Sequence, residues 1–308
     1  MPLHSEDDMV SDAYTETWLV GPQSTNFYTR TYFATESKAV LVFIHGFAEH
    51  VGRYTEAHPQ FAARGISVFT FDQRGFGKTA LDAENKSPSS AYGKTSGEHQ
   101  MDDIHWAIEH AKKEFPGLPV FLSGHSMGGG EVLNFSVRRD TSDLAGVIAC
   151  SPLVQQTDPS SQLRRALGAL AAVFFPYFPP IPAPLNFNDL SHDAKYNEMC
   201  RNDSLSKLQG TLRGLTDMLN WGDELLRVNH TKWPKTLPIL FVHGSGDQIT
   251  SHIAAKDFHD KIGSDDKKMI IYPDGFHELV QEPAHTEKLL NDEIAWIEAH
   301  LSKAAEFE

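Results

Sequence analysis

Five near-continuous apolar runs limit what this chain can become. They are Ala39-Val40-Leu41-Val42-Phe43-Ile44, Ile66 to Phe71, Val120 to Leu122, Ala145 to Cys150 and Ile239 to Val242. A strand without polar alternation is buried on both faces, which happens when helices cover both sides of a mostly parallel sheet. A further run, Lys268 to Tyr272, extends the series, and residues 13–33 read as two antiparallel strands. Helical periodicity at 54–64, 97–115, 129–139, 250–262 and 283–302 falls between the runs. Alternation of this kind predicts an α/β fold, doubly wound, with ligands at the carboxyl ends of the strands.

One stretch breaks the rhythm. From Pro152 to Pro234 there is no buried-strand signal, and prolines cluster at 176, 179, 180, 182 and 184. The expected organisation is a core in two parts, 1–151 and 235–308, with a helical cap or lid inserted at 152–234. Within the cap, residues 166–178 (ALGALAAVFFPYF) are apolar all round and too short to span a bilayer, which needs about 20 residues. Three readings stay open for it: a packed cap helix, a lid over an acyl pocket, or a patch touching membranes. Arg164 and Arg165 flank it and could meet lipid headgroups.

Charge excludes some partners. With 27 basic and 41 acidic residues the net charge is −14, and no basic stripe is present. Nucleic acid and polybasic attachment to anionic lipid are therefore not expected. The two cysteines, Cys150 and Cys200, are expected as buried free thiols in a reducing compartment. The acidic start, Met1 to Asp8, has no apolar run and does not read as a secretory signal, so a cytoplasmic location is expected.

The chemistry-bearing motif follows the third of the five runs. Val120-Phe121-Leu122-Ser123 leads into Gly124-His125-Ser126-Met127-Gly128-Gly129-Gly130 and then a helix. This is a G-x-S-x-G elbow in strand–turn–helix context. A serine on so tight a turn projects its hydroxyl, and the crowding leaves no room for side chains two positions either side. The pattern alone would arise about 0.1 times by chance in a chain of this length, so its context and partners carry the weight. The bland alternative is a glycine-rich turn with a surface serine.

A serine hydroxyl needs a base. Among the histidines after Ser126, those at 252, 259, 285 and 300 lie on helical patterns, and 192 and 230 lie in the cap. His243 ends a strand and is expected to pack or hydrogen-bond locally. His277 follows the last strand on the loop Pro273-Asp274-Gly275-Phe276 and is the candidate base. Asp247, in His243-Gly244-Ser245-Gly246-Asp247, can orient it from behind; Asp274 is the rival and more often caps a turn. The oxyanion donors are expected to be the amides of Phe47, in His45-Gly46-Phe47-Ala48-Glu49-His50, and of Met127.

Taken together, Phe115 to Gly129, His45 to Tyr54, Phe71-Asp72-Gln73-Arg74-Gly75-Phe76-Gly77 and Ser151-Pro152-Leu153-Val154 resemble the monoacylglycerol lipase family of α/β hydrolases, from about residue 25 to 300. Phe47 and the Asp72-Gln73-Arg74-Gly75 variant resemble its fungal members. The resemblance implies hydrolysis of monoacylglycerol to glycerol and fatty acid through an acyl-enzyme, with no metal or organic cofactor. It also implies that the cap touches membranes or lipid droplets peripherally. It suggests Glu49 and Arg53 at the polar glycerol end, against a mutual surface ion pair as the plain alternative. Leu153 and Phe174 complete the substrate-contact candidates. The family's cap tyrosine has no clear counterpart; Tyr196 and Cys200 are the nearby positions. A carboxylesterase, a lysophospholipase or carbon–carbon hydrolase of the same fold, and a catalytically silent ligand-binding protein, are the competing readings. Oligomeric state is not encoded in any of these features.

Overall fold

The computed structural model describes residues 13–158, 162–178 and 180–304; side chains of 162–167 and 302–304 are outside that description. Met1 to Asp8, Arg164, Arg165 and Pro179 thus lie outside the described residues or side chains.

The strands are β1 (Thr15–Val20), β2 (Asn26–Tyr32), β3 (Ala39–Ile44), β4 (Ile66–Phe71), β5 (Val120–His125), β6 (Leu144–Cys150), β7 (Ile181–Pro182), β8 (Gln209–Gly210), β9 (Ile239–Gly244) and β10 (Lys267–Tyr272). The helices are α1 (His58–Ala62), α2 (Gly77–Leu81), α3 (Gly97–Glu114), α4 (Met127–Arg138), α5 (Gln162–Phe174), α6 (Ala194–Arg201), α7 (Leu212–Arg227), α8 (His252–Lys261) and α9 (Thr286–Ala304).

Eight strands form one sheet in the order β1-β2-β4-β3-β5-β6-β9-β10. The pairs β1–β2 and β2–β4 are antiparallel and the rest parallel. Strands β3 to β6 and β9 are buried along almost their whole length, which is why they read as unbroken apolar runs. Two apolar clusters cover the two faces. One gathers Val40, Val42, Leu122 and Phe241 with α3, α4 and α8; the other gathers Leu41, Phe43, Phe121 and Leu240 with α1 and α9.

The expected helix at 54–64 is shorter than its periodicity suggested. A 3₁₀ turn at Val51–Tyr54 precedes α1, because the His50 ring accepts from the Gly52 amide and fixes a separate turn. Between β6 and β9 the chain forms α5, α6, α7 and the two-residue ladder β7–β8, with α5 packed on α7 and α7 on α4. Both cysteines are free and buried. No helix among the described residues is long and apolar enough to cross a membrane.

Candidate active site

The elbow follows from sequence to geometry without a gap. Ser126 sits at φ 56°, ψ −117°, a conformation an L-residue adopts only under constraint. The constraint is visible: the Ser126 amide donates to the Cys150 carbonyl at 3.0 Å, and the Ser126 carbonyl accepts from Gly130 and Leu153. A Cβ at Gly128 would lie 2.2 Å from the Ile44 carbonyl oxygen, and one at Gly124 would lie 2.3 Å from that of Gly128. Only glycine lets the turn close against β3. Helix α4 begins at Met127, so its positive end faces the serine.

The Ser126 hydroxyl lies 2.8 Å from His277 Nε2, and His277 Nδ1 lies 2.8 Å from Asp247 Oδ2. All three residues are buried. Asp247 is caged: its Oδ1 accepts from the Ile249 and Thr250 amides at 2.7 and 2.9 Å. Its Oδ2 also meets the Thr250 hydroxyl at 2.8 Å and His243 Nε2 at 3.1 Å. Burial works against ionisation, but the His277 and His243 rings and these bonds hold the Asp247 carboxyl well below the usual range. An anion so placed fixes the Nδ1–H tautomer and leaves Nε2 free to accept a proton. The rival Asp274 sits exposed at φ 58° in a tight turn whose amide donates to the Ser245 hydroxyl.

The loop after β3 is braced from behind. Buried and pushed down by that burial, His45 is neutral; its Nδ1 donates to the Gly46 carbonyl and its Nε2 accepts from the Gln73 amide at 2.9 Å. Gln73 Nε2 donates to the His45 carbonyl at 2.6 Å. Asp72 holds the amides of Val51 and Lys78 at 2.8 and 2.6 Å. This gives the Asp72-Gln73 pair a physical purpose: it clamps the loop to the end of β4. A Cβ at Gly46 would fall 3.0 Å from Ser126 Cβ, so the loop runs beside the serine. Phe47 lies on this braced loop and Met127 is the first residue of α4, the positions from which the expected oxyanion donors come.

Glu49 and Arg53 are not a surface pair. Glu49 accepts from the Gly46 amide at 3.0 Å and from the Tyr54 hydroxyl at 2.5 Å, and lies 3.2 Å from His125 Nδ1. Arg53 reaches Asp203 at 3.5 Å and the Ser206 hydroxyl at 3.1 Å. His125 Nε2 faces the His277 carbonyl at 3.3 Å. Burial disfavours a charged imidazole, yet Glu278 and Glu49 raise His125 to about 10. Burial likewise opposes ionisation of Glu49, but His125 keeps its carboxyl well below the ordinary range. Burial and the Glu49 charge push the Glu278 carboxyl up. Glu49, His125 and Glu278 bring one metal-type donor atom each within 4.8 Å of one another. Both His125 nitrogens are already engaged, however, so the set is an imidazolium held between acids.

Ser126, His277, Phe47, Glu49 and Arg53 line one narrow cavity with Glu278, Leu185, Phe187, Leu190, Ser206 and Leu208. Leu153 touches Ser126 through its amide, but its side chain lines a neighbouring cavity with Met127 and Trp221. Phe174 does not join the cavity; it is 70% exposed on the outer side of α5. His243 hydrogen-bonds locally, as expected, to Asp247 and the Thr250 carbonyl, whereas sequence reasoning gave no role to His125, Thr250, Ser151 or Glu278. His125 stands inside the G-H-S-M-G motif and Glu278 directly after His277, which were the available signals.

Comparison with known proteins agrees with this architecture. A family model described as serine aminopeptidase, S33, matches residues 35–284. A Schizosaccharomyces pombe protein named "Putative monoglyceride lipase" is 33% identical over 289 residues, covering 91% of this chain and 73% of the relative. A monoglyceride lipase of Saccharomyces cerevisiae is 26% identical over 284 residues, covering 88% of each. A crystal structure of a soluble variant of the S. cerevisiae monoglyceride lipase with a substrate analog shares the fold. Its TM-score is 0.81 at 24% identity, over 93% of this chain and 95% of that one. With the elbow, the sheet order and a relative 33% identical over 91% of this chain and 73% of its own length, the chain belongs to the monoglyceride lipase family of α/β hydrolases.

Proposed function

We propose that this protein hydrolyses monoacylglycerols to glycerol and a free fatty acid, with Ser126 as nucleophile, His277 as general base and Asp247 as its orienting anion. The observation that carries the reading is the unbroken Asp247–His277–Ser126 line, with two contacts of 2.8 Å. The names of the relatives support the substrate class.

The mechanism follows from the geometry. Ser126 Oγ attacks the ester carbonyl as His277 Nε2 takes its proton. The carbonyl oxygen becomes an oxyanion held by the Phe47 and Met127 amides; one such donor contributes about 2.7–4 kcal/mol to the transition state. The tetrahedral carbon then expels the glycerol oxygen, which receives the proton from His277. Water, losing a proton to the same nitrogen, attacks the acyl-Ser126 ester. Collapse of that second intermediate releases fatty acid and returns the proton to Ser126.

Residues 152–234 form the cap in this reading. The exposed run of Leu170, Val173, Phe174, Phe175 and Phe178 supports peripheral contact with a lipid surface, since clustered exposed large apolar side chains mark interaction sites. A cytoplasmic protein attached to lipid droplets or membranes through this run fits the acidic surface and the free thiols.

The test is product analysis with mono-, di- and triacylglycerols and lysophospholipids, using wild type and Ser126→Ala. Glycerol and fatty acid from monoacylglycerol, absent with Ser126→Ala at unchanged thermal unfolding, is the expected result. Turnover retained by Ser126→Ala, or cleavage of simple esters without monoacylglycerols, overturns the reading.

A further inference from the structure

The sharpest unexplained feature of the molecule is Glu278. It is 1% exposed, and neither carboxyl oxygen has a hydrogen-bond partner among the described residues. Buried polar groups are nearly always partnered, and a carboxyl left without bonds is costly. The backbone offers no reason for tolerating it, because the Glu278 amide is already satisfied by the Leu190 carbonyl at 2.8 Å. The nearest cation, His125 Nε2, is 3.9 Å away, beyond hydrogen-bond range, and is directed at the His277 carbonyl.

Two more polar groups share its field. Arg53 spends its terminal nitrogen on Asp203 and Ser206, while its Nε–H has no acceptor. The Tyr196 hydroxyl, buried and electrostatically coupled to both Glu278 and Arg53, meets no oxygen or nitrogen partner among the described residues and neighbours the Cys200 thiol. Glu278 and Arg53 line the cavity that contains Ser126 and His277. The unmet needs are therefore two carboxyl oxygens and one guanidinium N–H.

Those needs select a ligand chemistry. A hydroxyl donates and accepts, so a vicinal diol can give protons to Glu278 while offering oxygen to Arg53 Nε. A phosphate brings only acceptors and negative charge towards Glu278 and Glu49. The cations that could compensate are engaged elsewhere: Arg53 with Asp203, and His125 with Glu49 and the His277 carbonyl. The departing oxygen must take its proton from His277 Nε2. Glu278, the next residue in the chain, lines the same cavity.

We propose that Glu278 is the specificity-determining residue for the alcohol half of the substrate: its free carboxyl oxygens receive the hydroxyls of an uncharged polyol head and disfavour a phosphorylated one. This rests on the hydrolase reading above and adds to it a residue and a rule of discrimination.

The test uses three substrates with one acyl chain: 1-monoacylglycerol, the methyl ester, and the glycerol ester carrying a 3-phosphate. Wild type and Glu278→Gln are compared by kcat/KM. The monoacylglycerol-to-methyl-ester ratio is expected to fall about 10–100-fold in Glu278→Gln, mainly through KM, as for loss of hydrogen bonds to a charged group. The ratio of monoacylglycerol to phosphorylated ester falls with it. Inhibition of methyl-ester hydrolysis by free glycerol should weaken in parallel. If Glu278→Gln does not fold, Glu278→Asp, which withdraws the carboxyl by one methylene, carries the same comparison. Equal loss on all three substrates, or unchanged ratios, overturns the proposal. Failure of the wild type to cleave monoacylglycerol while it cleaves the methyl ester would instead sink the broader reading, so the two failures are distinct.

Discussion

Replacing Asp247 by Asn tests the proton-relay geometry most directly. An Asn side chain offers one oxygen and one NH₂ where Asp offered two acceptors. The cage decides which way the amide lies. With its oxygen at the Oδ1 position it keeps the Ile249 and Thr250 amides, at 2.7 and 2.9 Å in the native protein. The opposite flip would set NH₂ against those two buried donors, at about 1–3 kcal/mol each, or roughly 2–6 kcal/mol in all. The amide therefore takes the first orientation and presents NH₂ to His277 Nδ1 across the former 2.8 Å contact. A donor there forces the ring proton onto Nε2, where it points at the Ser126 hydroxyl and cannot accept its proton. A wrong tautomer of this kind costs about 10⁴ in kcat, or about 5.5 kcal/mol of barrier. The assay is steady-state hydrolysis of a short soluble ester, which removes lipid adsorption from the rate, with urea unfolding to confirm a native-like fold. A folded Asp247→Asn enzyme retaining more than about a tenth of wild-type kcat would refute the orientation argument.

Two further outcomes are expected. Phe174→Asp removes an aromatic ring that is 70% exposed, so it should leave stability nearly unchanged and weaken vesicle binding about 10–100-fold, the equivalent of one ring's burial in lipid. Equal loss of kcat/KM on dispersed lipid and on a soluble ester would show instead that the ring matters for packing. His125, raised to about 10 from an ordinary value near 6.5, contributes stability fully present below about pH 6.5 and lost as pH rises through about 10. Urea midpoints of the wild type should fall over that window more steeply than those of His125→Asn, and identical slopes would argue against a charged His125.

The parallel sheet could be read from sequence because burial on both faces erases the polar alternation of β3, β4, β6 and β9. The elbow could be read because steric closure at Gly124 and Gly128 demands glycine locally. Helix α2, five residues long, carries too little periodicity to be seen, and the turn before α1 depends on one His50 hydrogen bond. The surroundings of the site were illegible for a different reason. His125, Glu278 and Thr250 come from three separate loops and strand ends, and only the sheet order brings them together. Residue 278 is the clearest case: in one dimension it is an acid beside a histidine, and only burial without partners makes it unusual.

The chain leaving β6 is riveted to the core for several residues. The Ser151 hydroxyl donates to the His277 carbonyl, the Thr250 hydroxyl to the Ser151 carbonyl, and the Leu153 amide to the Ser126 carbonyl. Gln155 and Thr157 then pair with the Ser251 and Ile249 backbone. This fixed stem ties the chain leaving β6 to the loops that carry His277 and Asp247, and so holds the serine's strained turn in shape whatever the chain beyond it does.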